Sequence, residues 1–292
     1  MPGLALALVA AIAPGAGARA AGKPGARANA SNADVNRSSK LLDRGFRQLY
    51  DLDFHGARAE FRSYEQSSPA DPLAQAALAA SYLYEQFNAR GVLTSQFFLD
   101  DEKLLRGVDG SPAQNRNEPF LDANRKTRAM AQASLRRNAR DTRGLLALTL
   151  ADGMESDYDA LIERKQLASL NLMRQAEREA RRLLAEDPSE QDAYVALGAS
   201  EYIIGCMPSY KRAMLWFGGI HGDRARGMQE LQQAAENGHY LQPFAKILLA
   251  LACEREHQPG QARLLLTQLT AEFPSNPLFA HELALLDGTA AY

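Results

Sequence analysis

Two stretches near opposite ends of this 292-residue chain carry small, bulky and proline residues at one shared spacing, and this coincidence restricts the fold more than any other feature. In the first, Gly45 is followed by Ala57, Phe61, Tyr64 and Pro69, at +12, +16, +19 and +24. In the second, Ala250 is followed by Ala262, Leu266, Leu269 and Pro274 at the same intervals. Small residues at the first two positions let two helices cross closely. The next two fall on one face of the second helix, and the proline, lacking an N–H, stops that helix. A helix pair of this kind cannot bury its apolar face alone and must stack on the next pair. Ala, Leu, Arg, Glu and Gln dominate the long stretches between, and they lose little rotamer freedom in a helix. No sustained period-two run enriched in β-branched residues occurs, so the expected class is all-α.

The pattern resembles the tetratricopeptide-repeat family, whose unit is a helical hairpin of about 34 residues. That resemblance implies a right-handed α-α solenoid of about five hairpins over residues 38–292, closed by a capping helix at Leu278–Leu286. Leu78-Ala79 and Tyr82 fall in the first helix of the second unit, with its second helix around Thr127–Ser134. Ala176, Ala180, Leu183 and Pro188 mark the second helix of the third unit. Tyr194, Leu197 and Gly198 open the fourth, whose second helix carries Gly227, Leu231 and Ala234. Units end near residues 69, 139, 188, 239 and 274. Against a repeat of about 34 residues, the middle three units are enlarged by roughly 36, 15 and 17. The extra residues are assigned to 87–119, 153–168 and 203–223.

Each insertion carries its own expectation. Residues 87–119 include Val92, Leu93, Phe97, Phe98, Leu99 and Leu104, and either fold back on the solenoid or form a flap over its groove. For 153–168, nothing in the sequence breaks a helix from Asp157 to Glu186; Ser156 and Asp159 resemble a capping box, and Glu177 and Arg181 form an i,i+4 pair. In 203–223, Met207, Tyr210, Met214 and Phe217 make an apolar stripe on a short helix beginning at Pro208 and containing Trp216. Lys211 and Arg212 stand off the stripe, Gly218-Gly219 ends the helix and Asp223 caps the next. Such a helix is core, or it lies at a membrane interface. Met207-Pro208, Gly219, Gly222-Asp223-Arg224, Gly227 and Leu231 resemble the inclusion-body clearance family of tetratricopeptide proteins over residues 190–275. That likeness implies the same architecture and membrane proximity.

The N-terminus has an apolar run, Leu4–Ala13, followed by A-x-A patterns ending at Ala18 and Ala20. Residues 1–20 therefore read as a secretory signal and 21–37 as a flexible linker, so export to a periplasmic or extracellular space is expected. Cys206 and Cys253 either pair there or stay as separate buried thiols. A formal net charge of -2 gives no global field for nucleic acid. The basic run from Arg125 to Arg143 lacks interleaved aromatics. Histidines 55, 221, 239, 257 and 281 form no metal-binding spacing, and neither a nucleophile elbow nor a phosphate loop occurs. No enzyme, cofactor or metal is expected. The expected function is a scaffold holding a protein or peptide in a concave groove, at Tyr84, Glu85, Glu201 and Tyr202, with Trp216 and Phe217 on the fourth-unit insertion. The alternative is a membrane-associated structural protein docked through the Trp216 helix.

Overall fold

The computed structural model describes residues 26–207, 209 and 221–289, without the side chains of 26–37 and Leu105. The expected signal segment, and most of 203–223 including Trp216 and Phe217, lie outside the described residues. Every regular element described is a helix, an architecture compatible with an α-solenoid. The first pair is α1 (Ala26–Tyr50) and α2 (Phe54–Ser67); the second is α3 (Leu73–Ala89) and α6 (Glu118–Arg137). Between α3 and α6 come the short helices α4 (Ser95–Phe98) and α5 (Asp101–Arg106). The third pair is α7 (Thr142–Leu161) and α8 (Gln166–Glu186), and the fourth α9 (Tyr194–Cys206) and α10 (Arg224–Asn237). The fifth is α11 (Gln242–Arg255) and α12 (Pro259–Glu272), covered by α13 (Pro277–Leu286). The second helix of each pair packs on the first of the next.

Local chemistry sets the helix ends. Side chains of Asp53, Asn117, Asp141, Asp223 and Asn276 accept hydrogen bonds from first-turn N–H groups, satisfying donors the helix leaves free. Pro69, Pro188 and Pro274 each stand two residues beyond the last residue of α2, α8 and α12. Crossings depend on absent Cβ atoms. A Cβ at Gly45 would strike the Phe61 ring, and one at Gly227 would lie 2.5 Å from the Tyr202 backbone N. Gly198 faces Gly227, its own Cβ position 2.8 Å from the Gly227 carbonyl oxygen. Ala57, Phe61, Ala250 and Ala262 are buried, while Pro69 and Pro274 are exposed.

Three expectations need correction. Helix α1 begins at Ala26, inside the segment read as a flexible linker; 26–37 contains neither Pro nor Gly, and adding residues to an existing helix meets little resistance. The helix expected from Asp157 to Glu186 is broken between Leu161 and Gln166, with Arg164 at φ 57°. No Pro or Gly marks this break, which the second-unit insertion holds. The Arg164 guanidinium donates to the Val108 and Gly110 carbonyls, both at 2.8 Å, and the Val108 N–H donates to the Leu161 carbonyl at 2.9 Å. The extra length of the third unit thus extends both of its helices. Ser156 caps nothing; it is buried within α7 and its hydroxyl donates to the Ser169 carbonyl at 2.9 Å, tying the two helices together.

The third correction concerns the groove. The two ends of the array are joined. Phe46 of α1 stacks on Tyr240 at 4.8 Å, the Tyr50 hydroxyl donates to the Tyr240 carbonyl at 2.8 Å, and the Asn276 amide donates to the Tyr50 carbonyl at 2.8 Å. Asp192, fully buried, accepts from the N–H groups of His239, Tyr240 and Leu241, fixing the loop against which α1 rests. The space inside is narrow enough for Tyr84 of α3 to meet Phe244 of α11 edge to face at 6.0 Å. The side chains expected to line an open groove are therefore largely enclosed.

Candidate functional site

The insertion between α3 and α6 folds back onto the body. Asp101 pairs with Arg255 of α11, Ser95 bonds to Glu282 of α13, and Val92, Phe97, Leu104 and Val108 are buried. Asp100 caps α5 by accepting from the N–H of Glu102 and Lys103. The insertion thereby roofs a chamber of about 110 Å3. Its walls come from separate parts of the chain. Leu49, Tyr50, Leu52 and Phe54 line it from the α1–α2 corner, Tyr84 and Phe87 from α3, and Asp157 and Leu161 from α7. Leu93, Thr94, Ser95 and Phe98 form the roof. Phe244, Ile247, Leu248, Leu251 and Glu254 line it from α11, and Asn276, Phe279 and Glu282 from the α13 end. An outer groove of about 420 Å3 lies beyond the roof and shares Ser95 and Glu254 with the chamber.

This lining is mostly apolar and aromatic, so its few polar atoms define the chemistry. Two are satisfied: Tyr50 and Asn276 make the end-joining bonds described above. Asp157 is fully buried, and neither carboxyl oxygen has a hydrogen-bond partner among the described residues. Burial away from water disfavours the charged form and pushes its carboxyl well above the usual carboxylate range. The Tyr84 hydroxyl is buried and equally unpartnered. Burial raises the pKa of this hydroxyl, and the nearby Asp157 and Tyr50 raise it further. At the α13 end burial lifts Glu254 to about 7, with Glu282 adding to the effect. Glu282 gives one oxygen to Ser95, while its other oxygen is buried without a partner. An unpaired buried polar group costs about 1–3 kcal/mol, so three in one chamber are an appreciable load.

The residues singled out from the sequence have other positions. Tyr84 faces the chamber. Glu85 is on the outside, paired with Arg58 at 2.8 Å. Glu201 is buried, 3.5 Å from both Arg181 and Arg226, and accepts from the Asp223 N–H at 3.2 Å. Buried Tyr202 donates to the Ala252 carbonyl at 3.3 Å and lies 3.2 Å from a Glu256 oxygen, tying the fourth pair to the fifth. Tyr84 and Tyr202 are thus brought to different places, one in the chamber and one in an inter-repeat seam. Gly222-Asp223-Arg224 also serve packing: Gly222 abuts Ile204 and the Gly205 backbone, Asp223 caps α10, and Arg224 reaches Glu256 at 3.1 Å. Within the basic run, Lys126 pairs with Asp122, Arg128 with Glu155 and Arg143 with Asp71. Cys206 and Cys253 are free thiols, and burial pushes Cys253 up to about 11.

Asp157, Glu254 and Glu282 were missed in the sequence, although a signal is present. Leu150, Met154, Asp157 and Leu161 follow 4, 3, 4 spacing, placing an acid on an apolar stripe. Ile247, Leu251 and Glu254 repeat the arrangement at 4 and 3. An ionisable residue at such a position is either destabilising or used. Among the described residues no group of three or more His, Cys, Asp or Glu could hold a metal ion, and no helix is long and apolar enough to cross a membrane. Neither a protein-family model nor a curated protein matches the chain.

Proposed function

We propose that this chain is a non-catalytic binding protein of tetratricopeptide-like, right-handed helical-repeat construction, which takes an apolar small molecule into the chamber between its joined ends. The observation that carries this reading is the chamber's lining: a continuous apolar and aromatic wall with Asp157 and Tyr84 buried and unpartnered on it. Folding alone gives no reason to keep these groups there, whereas a ligand end could satisfy them. At about 110 Å3 the chamber is smaller than the roughly 150 Å3 apolar cavity that accommodates benzene, so a guest of that size enters only as the walls give way. The shared wall of Ser95 and Glu254 supports entry from the outer groove by movement of the α4 roof.

A protein or peptide partner, expected from the sequence in a concave groove, would have to use other side chains than Tyr84 and Tyr202, because both are enclosed. Export through residues 1–20, and membrane contact through the Trp216 helix, remain proposals resting on the sequence alone.

Methyl NMR of the full chain titrated with toluene tests the proposal. Shifts at the methyl groups of Leu93, Ile247 and Leu251, with none at the exposed Leu167 and Leu264, are expected. Filling the chamber with Ile247→Trp should abolish them in a folded protein. Toluene leaving the chamber methyls unmoved would refute the reading.

A further inference from the structure

The charges of the chamber are one-sided. Asp157, Glu254 and Glu282 line it, and among the described residues no Lys, Arg or His does. A carboxylate ligand would meet three acids and no counter-ion. A hydrocarbon would leave Asp157, Tyr84 and the second Glu282 oxygen as they are, without partners. An ammonium group, by contrast, brings up to three donors to acceptors that have none. The aromatic walls favour the same choice. Tyr84, Phe87, Phe98, Phe244 and Phe279 surround the space, and aromatic faces attract a desolvated cation.

We propose that the chamber's ligand is a small hydrophobic amine, whose ammonium is held by the Asp157 carboxylate beside the Tyr84 hydroxyl while its hydrocarbon body lies against Phe87, Phe244 and Leu248. This deepens, and rests on, the reading of the chamber as a small-molecule site. Asp157 is the acid assigned because both of its oxygens are unengaged, whereas Glu282 already serves Ser95. In the ligand-free protein burial keeps the Asp157 proton on. Binding of an ammonium therefore releases that proton to solvent and leaves a carboxylate–ammonium pair, so charge and protons balance. The other titratable groups facing the chamber are Tyr50 and Tyr84 beside Asp157, and Glu254 and Glu282 at the α13 end. Proton release makes amine affinity rise with pH by up to tenfold per unit while Asp157 is protonated in the free protein and the amine remains charged.

The test is calorimetric titration of the full chain with n-hexylamine, 1-hexanol and hexanoate, each at two pH values, with chamber methyl shifts followed in parallel. Hexylamine is expected to bind at least tenfold tighter than hexanol and to gain affinity with pH. Hexanol should show less pH dependence, and hexanoate should be the weakest. Asp157→Asn should bring hexylamine down to the level of hexanol, its folding checked by a cooperative urea transition, and Tyr84→Phe should weaken hexylamine to a lesser degree. Hexanol binding as tightly as hexylamine, or an amine preference that survives Asp157→Asn, overturns the amine assignment; chamber methyl shifts with hexanol would show that the small-molecule site itself stands. If none of the three ligands moves those methyls, both readings fall together.

Discussion

Replacing Asp157 by Asn should change how the stability of this protein depends on pH, in a direction the geometry fixes. The carboxyl is fully buried with no partner, and burial raises its folded pKa well above the unfolded value. The folded state therefore keeps a proton that the unfolded chain gives up. As pH rises above the ordinary carboxylate value, the unfolded state gains by ionising and stability falls, until the folded value is passed. Within that window one group changes stability by ~1.4 kcal/mol per pH unit. Asp152, raised to about 6, Glu254, to about 7, and Glu190, to about 8, act in the same sense. Their contribution is shared by wild type and variant, so the difference between the two proteins isolates Asp157. Urea unfolding at about pH 5 and about pH 6 supplies the measurement, from the midpoint and a common slope. The wild type should lose more than Asp157→Asn across that step, by at most about 1.4 kcal/mol. Parallel losses would mean that the carboxyl has the same ionisation folded and unfolded, and would remove the physical basis for treating it as a ligand group.

Other consequences are open to direct measurement. Gly227→Ala places a methyl group 2.5 Å from the Tyr202 backbone N, so urea unfolding should show a loss of about 1–3 kcal/mol from overpacking. Asp192→Ala removes the acceptor of three N–H groups at the α10–α11 loop; a loss of about 3 kcal/mol or more is expected, with faster amide exchange in α1, and unchanged exchange there would deny that this loop anchors the closure. Arg164→Ala should loosen the 107–110 segment, seen as new proteolytic cleavage in the insertion, because it removes both bonds to the Val108 and Gly110 carbonyls. Thiol titration without reductant should give two reactive cysteines in denaturant and a strongly protected Cys253 in the native protein.

The all-helical character, and where several helices end, were written locally. Capping residues such as Asp141 and Asp223, and prolines two residues past α2, α8 and α12, act within a turn of the backbone they control. Close crossings at Gly45 and Gly227 are legible for a similar reason, because a missing Cβ is a property of one position. The tertiary structure decided the rest. The break between Leu161 and Gln166 depends on carbonyls more than 50 residues away in sequence, so no spacing near Arg164 could announce it. Periodicity puts Tyr84 and Tyr202 on helix faces but says nothing about whether those faces stay open. That depended on Tyr50, Tyr240 and Asn276 bringing the first and last pairs together. Asp157 shows the division most clearly: its place on an apolar stripe of α7 is in the sequence, but its protonation and lack of partners follow from the walls that exclude water around it.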